Sequence, residues 1–99
     1  MPQEQPDKVV RITMQNGLPV PDQDPVQVKK DNQKVRWCAD FDFKIDIDGY
    51  SNVQYVNGGG DCAYRCTTGT FANITNYKYS ITANGVTNDR DIITYCRIG

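Results

Sequence analysis

The chain contains no histidine. A histidine general base, Ser-His and Cys-His nucleophilic pairs, and the usual copper, zinc and iron centres all need imidazole. None of them can be assembled from this chain alone. Long apolar runs are missing as well. No stretch approaches the roughly 18 residues of a membrane-spanning helix. Charge of one sign is missing too, since 11 Lys and Arg stand against 12 Asp and Glu. Without a basic block there is no electrostatic footprint for nucleic acid. The opening "MPQEQPDK" has no apolar stretch of the kind a signal peptide carries. A cytoplasmic protein and a mature chain whose signal was removed both fit that start.

A chain of 99 residues makes one domain. Residues 1–7 read as a flexible tail and residues 8–99 as the domain. No segment has a helical period. "KVVRITM" alternates, with Val10, Ile12 and Met14 on one side. "QNGLPVPDQDP" carries three prolines and reads as loop or irregular edge. "VQVKK" is a short strand, "DNQ" its turn, and "KVRWC" a strand with Val35 and Trp37 on one face. "DFDFKIDIDGY" follows. In it Phe41, Phe43, Ile45 and Ile47 share one parity, while Asp40, Asp42, Lys44, Asp46 and Asp48 share the other. A one-residue slip would bury four carboxylates, so this stretch fixes strand register strongly.

The signal weakens from Asp48 to Asn76. Gly58, Gly59 and Gly60 argue against a packed element there. Short strands are expected around "VQYV" and "CAYRC", inside a long excursion of the kind that often carries function. Tyr77, Tyr79, Ile81 and Ala83 then share a face, Asn84-Gly85 turns the chain, and "DIITYCRI" closes it. About seven short strands predict an all-β, antiparallel Greek-key β-sandwich.

Two segments carry a family likeness. "DPVQVKKDNQKVRW" resembles the cupredoxin segment in which a strand, a turn and "V-x-W" lead into the second strand pair. "YKYSITANGVTNDRDIIT" resembles the aromatic strand, turn and final strand that end that fold. The likeness implies a cupredoxin-like fold over about residues 8–98. It does not carry over the activity. Copper-carrying cupredoxins hold the metal with two histidines, a cysteine and usually a methionine. Here "ADFDFKI" stands after Trp37, where the first histidine belongs, and "NGVTNDRDI" supplies no ligand before the last strand. Cys96 has no histidine after it, and Met14 lies in the first strand. The resemblance therefore implies a member without a copper site.

Several other constellations bear on function. Cys38, Cys62, Cys66 and Cys96 permit two disulfides in any of three pairings, or four reduced and mostly buried thiols. Three residues separate Cys62 from Cys66, which matches neither a redox C-x-x-C nor a usual zinc knuckle. With Gly49 set as the sixth residue of an EF-hand loop, Asp46 and Asp48 fall on ligand positions. Lys44 and Tyr55 then occupy the two anchor positions, and both fail. A looser calcium site would use Asp46, Asp48 and Asp61, although a solvated strand face explains the same residues more simply. Asp40 and Asp42, about 7 Å apart along a strand, have the spacing of an acid/base pair but stand beside Lys44, with nothing to desolvate them. "NGGGDC" lacks the Gly-Lys-Ser/Thr of a phosphate loop, and Asn73 to Thr75 forms a chance-level glycosylation acceptor.

Tyr50, Tyr55, Tyr64 and Phe71 are the strongest candidates for a ligand or partner surface. If exposed, they would stack on a sugar or anchor a partner protein. If buried, they cover the core from a long loop. The expectation is a non-catalytic binding module without a cofactor, whose partner is a protein or a small ligand. The alternative is a structural subunit that assembles, with its own kind or another, through sheet edges.

Overall fold

A computed structural model describes residues 8–57 and 62–95. These residues form nine strands and no helix. The strands are β1 (Lys8–Gln15), β2 (Leu18–Pro21), β3 (Val26–Lys29), β4 (Val35–Ala39), β5 (Lys44–Ile47), β6 (Val53–Asn57), β7 (Tyr64–Thr68), β8 (Asn76–Ala83) and β9 (Val86–Tyr95). They build one five-stranded sheet, in the order β2-β1-β4-β7-β6, and one four-stranded sheet, β3-β9-β8-β5. Residues 1–7, the triple glycine, Asp61 and Cys96 lie outside the described residues.

The sheets are mixed, not purely antiparallel. β1 runs parallel to β4, and β3 runs parallel to β9. The cause lies in the connections. A hairpin delivers an antiparallel neighbour, whereas a strand that returns after a crossover can arrive parallel. After β1 and β2 form a hairpin, the chain crosses to lay β3 beside the last strand. It then returns to place β4 beside β1.

Alternation predicts the best-defined elements. Val10 and Ile12 of β1, Val35 and Trp37 of β4, and Tyr77, Tyr79, Ile81 and Ala83 of β8 are all buried. Trp37 and Tyr79 meet across the two sheets with ring centroids 5.2 Å apart. Each such side chain contributes about 1.5–3 kcal/mol when fully buried. Asn16-Gly17 and Asn84-Gly85 are two-residue hairpin turns in which both residues have positive φ. Asparagine tolerates that conformation and glycine adopts it freely.

Three segments differ from expectation. Leu18–Pro21 is a strand although it holds two prolines. The bond from the Asp22 amide to the Arg11 carbonyl sets the ladder phase. In that phase the nitrogens of Pro19 and Pro21 point away from β1, so no ladder donor is lost. Within "DFDFKIDI" only Lys44–Ile47 is a strand. Residues 40–43 carry the chain from one sheet to the other and cannot keep a ladder. Phe43 is buried there, while Phe41 is only half-buried. The middle segment, finally, is not loose throughout: β7 lies inside the larger sheet, between β4 and β6.

Candidate functional site

The four candidate aromatics separate into two groups. Phe71 is fully buried, and Tyr50 stacks on it with centroids 4.4 Å apart. The Tyr50 hydroxyl donates to the Thr70 carbonyl at 3.1 Å. Burial pushes the Tyr50 hydroxyl above its ordinary pKa, and hydrogen bonding at Gly69 partly opposes the rise. This pair covers the core. Tyr55 and Tyr64 stand on the β6–β7 side, where Tyr55 is 48% exposed and Tyr64 is half-buried.

Tyr55 belongs to the edge strand of one sheet and reaches the edge strand of the other. Its hydroxyl accepts from the Ile45 amide at 2.9 Å and donates to the Ile45 carbonyl at 3.1 Å. Both Ile45 groups point away from β8, because the ladder bonds of β5 fall on its alternate residues. The phenol therefore acts as a strut between the layers. Two openings lie nearby, one lined by Ile45 and one by Tyr55. A larger hollow of about 490 Å3 is lined by Ile45, Ile47, Tyr50 and Val53 among others. A smaller one of about 140 Å3 is lined by Asp42, Phe43, Lys44, Tyr55, Asn57, Tyr64 and Arg65.

Asp42, Phe43 and Lys44 also line a third cavity, of about 520 Å3, at the end of the layers. Met14, Phe41, Thr82, Ala83 and Asn84 complete its wall. This volume falls in the range of small-molecule sites. One strip thus runs from Met14 and Phe41 over Phe43 and Lys44 to Tyr55 and Tyr64. Alternation places Met14, Phe41 and Phe43 on buried faces: Phe43 is buried in the core, Phe41 packs half-buried against it, and Met14 is 37% exposed. The break in the ladder after Ala39 brings Phe41 to the opening, and alternation alone does not reveal such a break.

The aspartates are set apart from this strip or lie on its rim. Asp40, Asp42, Asp46 and Asp48 are all exposed. Asp40 is ion-paired with Arg11 at 3.1 Å. Asp46 and Asp48 share a hollow of about 340 Å3 with Lys78, Tyr79, Ser80 and Asp89 on the outer face of the smaller sheet. Asp61, the third residue of the calcium candidate, lies outside the described residues. Among the described residues no three His, Cys, Asp or Glu side chains gather as a metal site would require.

Cys38 is disulfide-bonded to Cys62, with 24 residues of sequence separation. The bridge lies against Arg11, whose Nη1 is 3.7 Å from the Cys38 sulfur. Cys66 is a buried free thiol. It sits in an inward row, between Trp37 on β4 and Tyr55 on β6. Burial pushes its pKa up to about 12, with a small opposing contribution from the Tyr55 hydroxyl.

The chain matches no protein-family model and no curated protein. No helix among the described residues is long and apolar enough to cross a membrane.

Proposed function

We propose that the protein is a non-catalytic binding module on a cupredoxin-like Greek-key β-sandwich without copper ligands. Two mixed sheets around one core support the architecture, as does the β2–β3 passage from one sheet to the other. The absence of histidine supports a role without copper or imidazole acid/base chemistry. A disulfide suits an oxidising compartment.

The observation that carries the binding reading is the shared wall of two cavities. Asp42, Phe43 and Lys44 line both the end cavity and the opening at Tyr55. Apolar surface from Phe41, Tyr55 and Tyr64 lies along one strip, with a carboxylate and an ammonium beside it. Such a strip takes a small ligand with a flat apolar face and a hydrogen-bonding edge, or an aromatic side chain of a partner protein. Nuclear magnetic resonance titration with indole, phenol and monosaccharide probes tests this. Amide shifts should concentrate at residues 41–44, 55 and 64. Shifts confined to other surfaces would overturn the reading, as would none at millimolar probe.

A second reading, a subunit that assembles through its sheet edges, is favoured by the character of β6. Its five residues, "VQYVN", contain neither proline nor charge.

A further inference from the structure

Two open sheets present four edge strands, and an unprotected edge is a template for pairing with another chain. Three of the four edges are closed in whole or in part, each by a different device. On β2 the outward-pointing nitrogens belong to Pro19 and Pro21, so there is no donor to offer. On β3 the Lys29 amide donates to the Gln33 side chain at 2.9 Å, and the Lys29 carbonyl accepts from the amides of Asn32 and Gln33, which leaves only the Gln27 main chain on the outward side. On β5 the Tyr55 hydroxyl takes both main-chain groups of Ile45, and the Tyr50 amide donates to the Ile47 carbonyl.

β6 is different. The Gly69 amide donates to the Asn52 carbonyl, which sets the phase of the β6–β7 ladder. Alternation then turns the amides and carbonyls of Val53, Tyr55 and Asn57 away from β7. The Val53 amide is used locally, by the Ser51 carbonyl. The Tyr55 amide and carbonyl face the open edge. The strut to Ile45 holds this segment extended, and Val56 is 47% exposed beside it.

We propose that β6 pairs antiparallel with β6 of a second copy of this chain, about a twofold axis at Tyr55. The two five-stranded sheets then become one continuous sheet. In this register the Tyr55 amide and carbonyl bond to those of their counterpart, and each Asn57 amide donates to the Val53 carbonyl opposite. Gln54 lies across from Val56 on the outer face. A second copy fits better than a charged peptide because β6 carries no charge that would select one. For the same reason its symmetric pairing brings no like charges into opposition. The net charge of −1 leaves little long-range repulsion between copies. This inference rests on the second reading above. The ligand strip uses the Tyr55 and Asn57 side chains, whereas pairing uses the outward main chain of β6, and Val56 lines no part of the strip, so either proposal can fail alone.

Sedimentation equilibrium and amide hydrogen exchange test the pairing, on protein alkylated so that no intermolecular disulfide contributes. The mass should rise with concentration toward twice the 11.2 kDa of one chain. With about nine-tenths of chains paired, exchange of the Tyr55 amide should slow about tenfold. The Gln54 and Val56 amides, already bonded to β7, should not respond. Val56→Lys charges the exposed outer face. Asn57→Pro removes an outward donor without touching the β7 ladder. Both should weaken association at least about tenfold while the circular dichroism spectrum and melting temperature confirm the fold. A strict monomer at millimolar concentration would overturn the proposal. So would a dimer that leaves Tyr55 exchange unchanged, or one that survives both substitutions. A monomer whose Tyr55 amide is protected only by an added extended peptide would reassign the edge to a different partner.

Discussion

The Tyr55 hydroxyl satisfies both main-chain groups of Ile45, one as acceptor at 2.9 Å and one as donor at 3.1 Å. A single side chain from the edge of one sheet thus closes the edge of the other. It also lines the smaller of the two openings beside Ile45.

Tyr55→Phe removes both bonds and keeps the ring. The site is half-exposed, so water can partly replace the hydroxyl. A loss of about 1–2 kcal/mol is expected, or roughly 4–16 °C in melting temperature for a domain of this size. The sharper readout is local. Exchange of the Ile45 amide should accelerate far more than that of the core amides in β8 and β9. Unchanged Ile45 exchange in the variant would show that the strut does not hold this edge.

The Cys38–Cys62 bridge joins β4 to the segment that enters β7. Its sequence separation of 24 corresponds to about 3.5 kcal/mol of loop entropy removed from the unfolded chain. Reduction should therefore lower the urea midpoint strongly, and Cys38→Ala with Cys62→Ala should reproduce the effect. An identical midpoint with and without reductant would show that the bridge adds nothing to stability.

Alkali should unfold the protein earlier than its disulfide alone would suggest. Burial raises the Tyr79 hydroxyl from 10.0 to about 12 and the Cys66 thiol from 9.0 to about 12. Both groups are neutral when protonated, so the folded state keeps a proton that the unfolded state has already released. Below about pH 9 the two states hold these protons equally, and stability does not change on their account. Stability then falls as pH rises through the window from about 9 to about 12. Urea midpoints measured from pH 7 to pH 11 should show this decline. Tyr79→Phe should make it shallower, despite losing the 3.5 Å contact with the Trp37 indole nitrogen. A midpoint independent of pH up to 11 would contradict the burial of both groups.

The sequence by itself determined that the chain is all β, where most strands lie and which faces they bury. Alternation at Val10, Ile12, Val35, Trp37 and Tyr77 to Ala83 depends only on the two-residue period of a strand. The Asn-Gly turns depend only on local backbone preference. The absence of histidine excluded imidazole chemistry without any coordinates. The tertiary structure alone decided the rest, because it depends on which segments meet. "DFDFKIDI" has one unbroken pattern, yet it splits into a crossover and a strand once β4 and β5 belong to different sheets, and Phe41 turns toward an opening. Phe71 sits in a stretch with no period and is fully buried. Tyr50 and Tyr55 are alike in composition and neighbourhood, but one covers the core and the other bridges two edges. Proline at 19 and 21 argued against a strand until the ladder phase placed both nitrogens outward. Side-chain period is a property of the chain, whereas the edge a strand occupies, and what closes that edge, are properties of the assembled sheets.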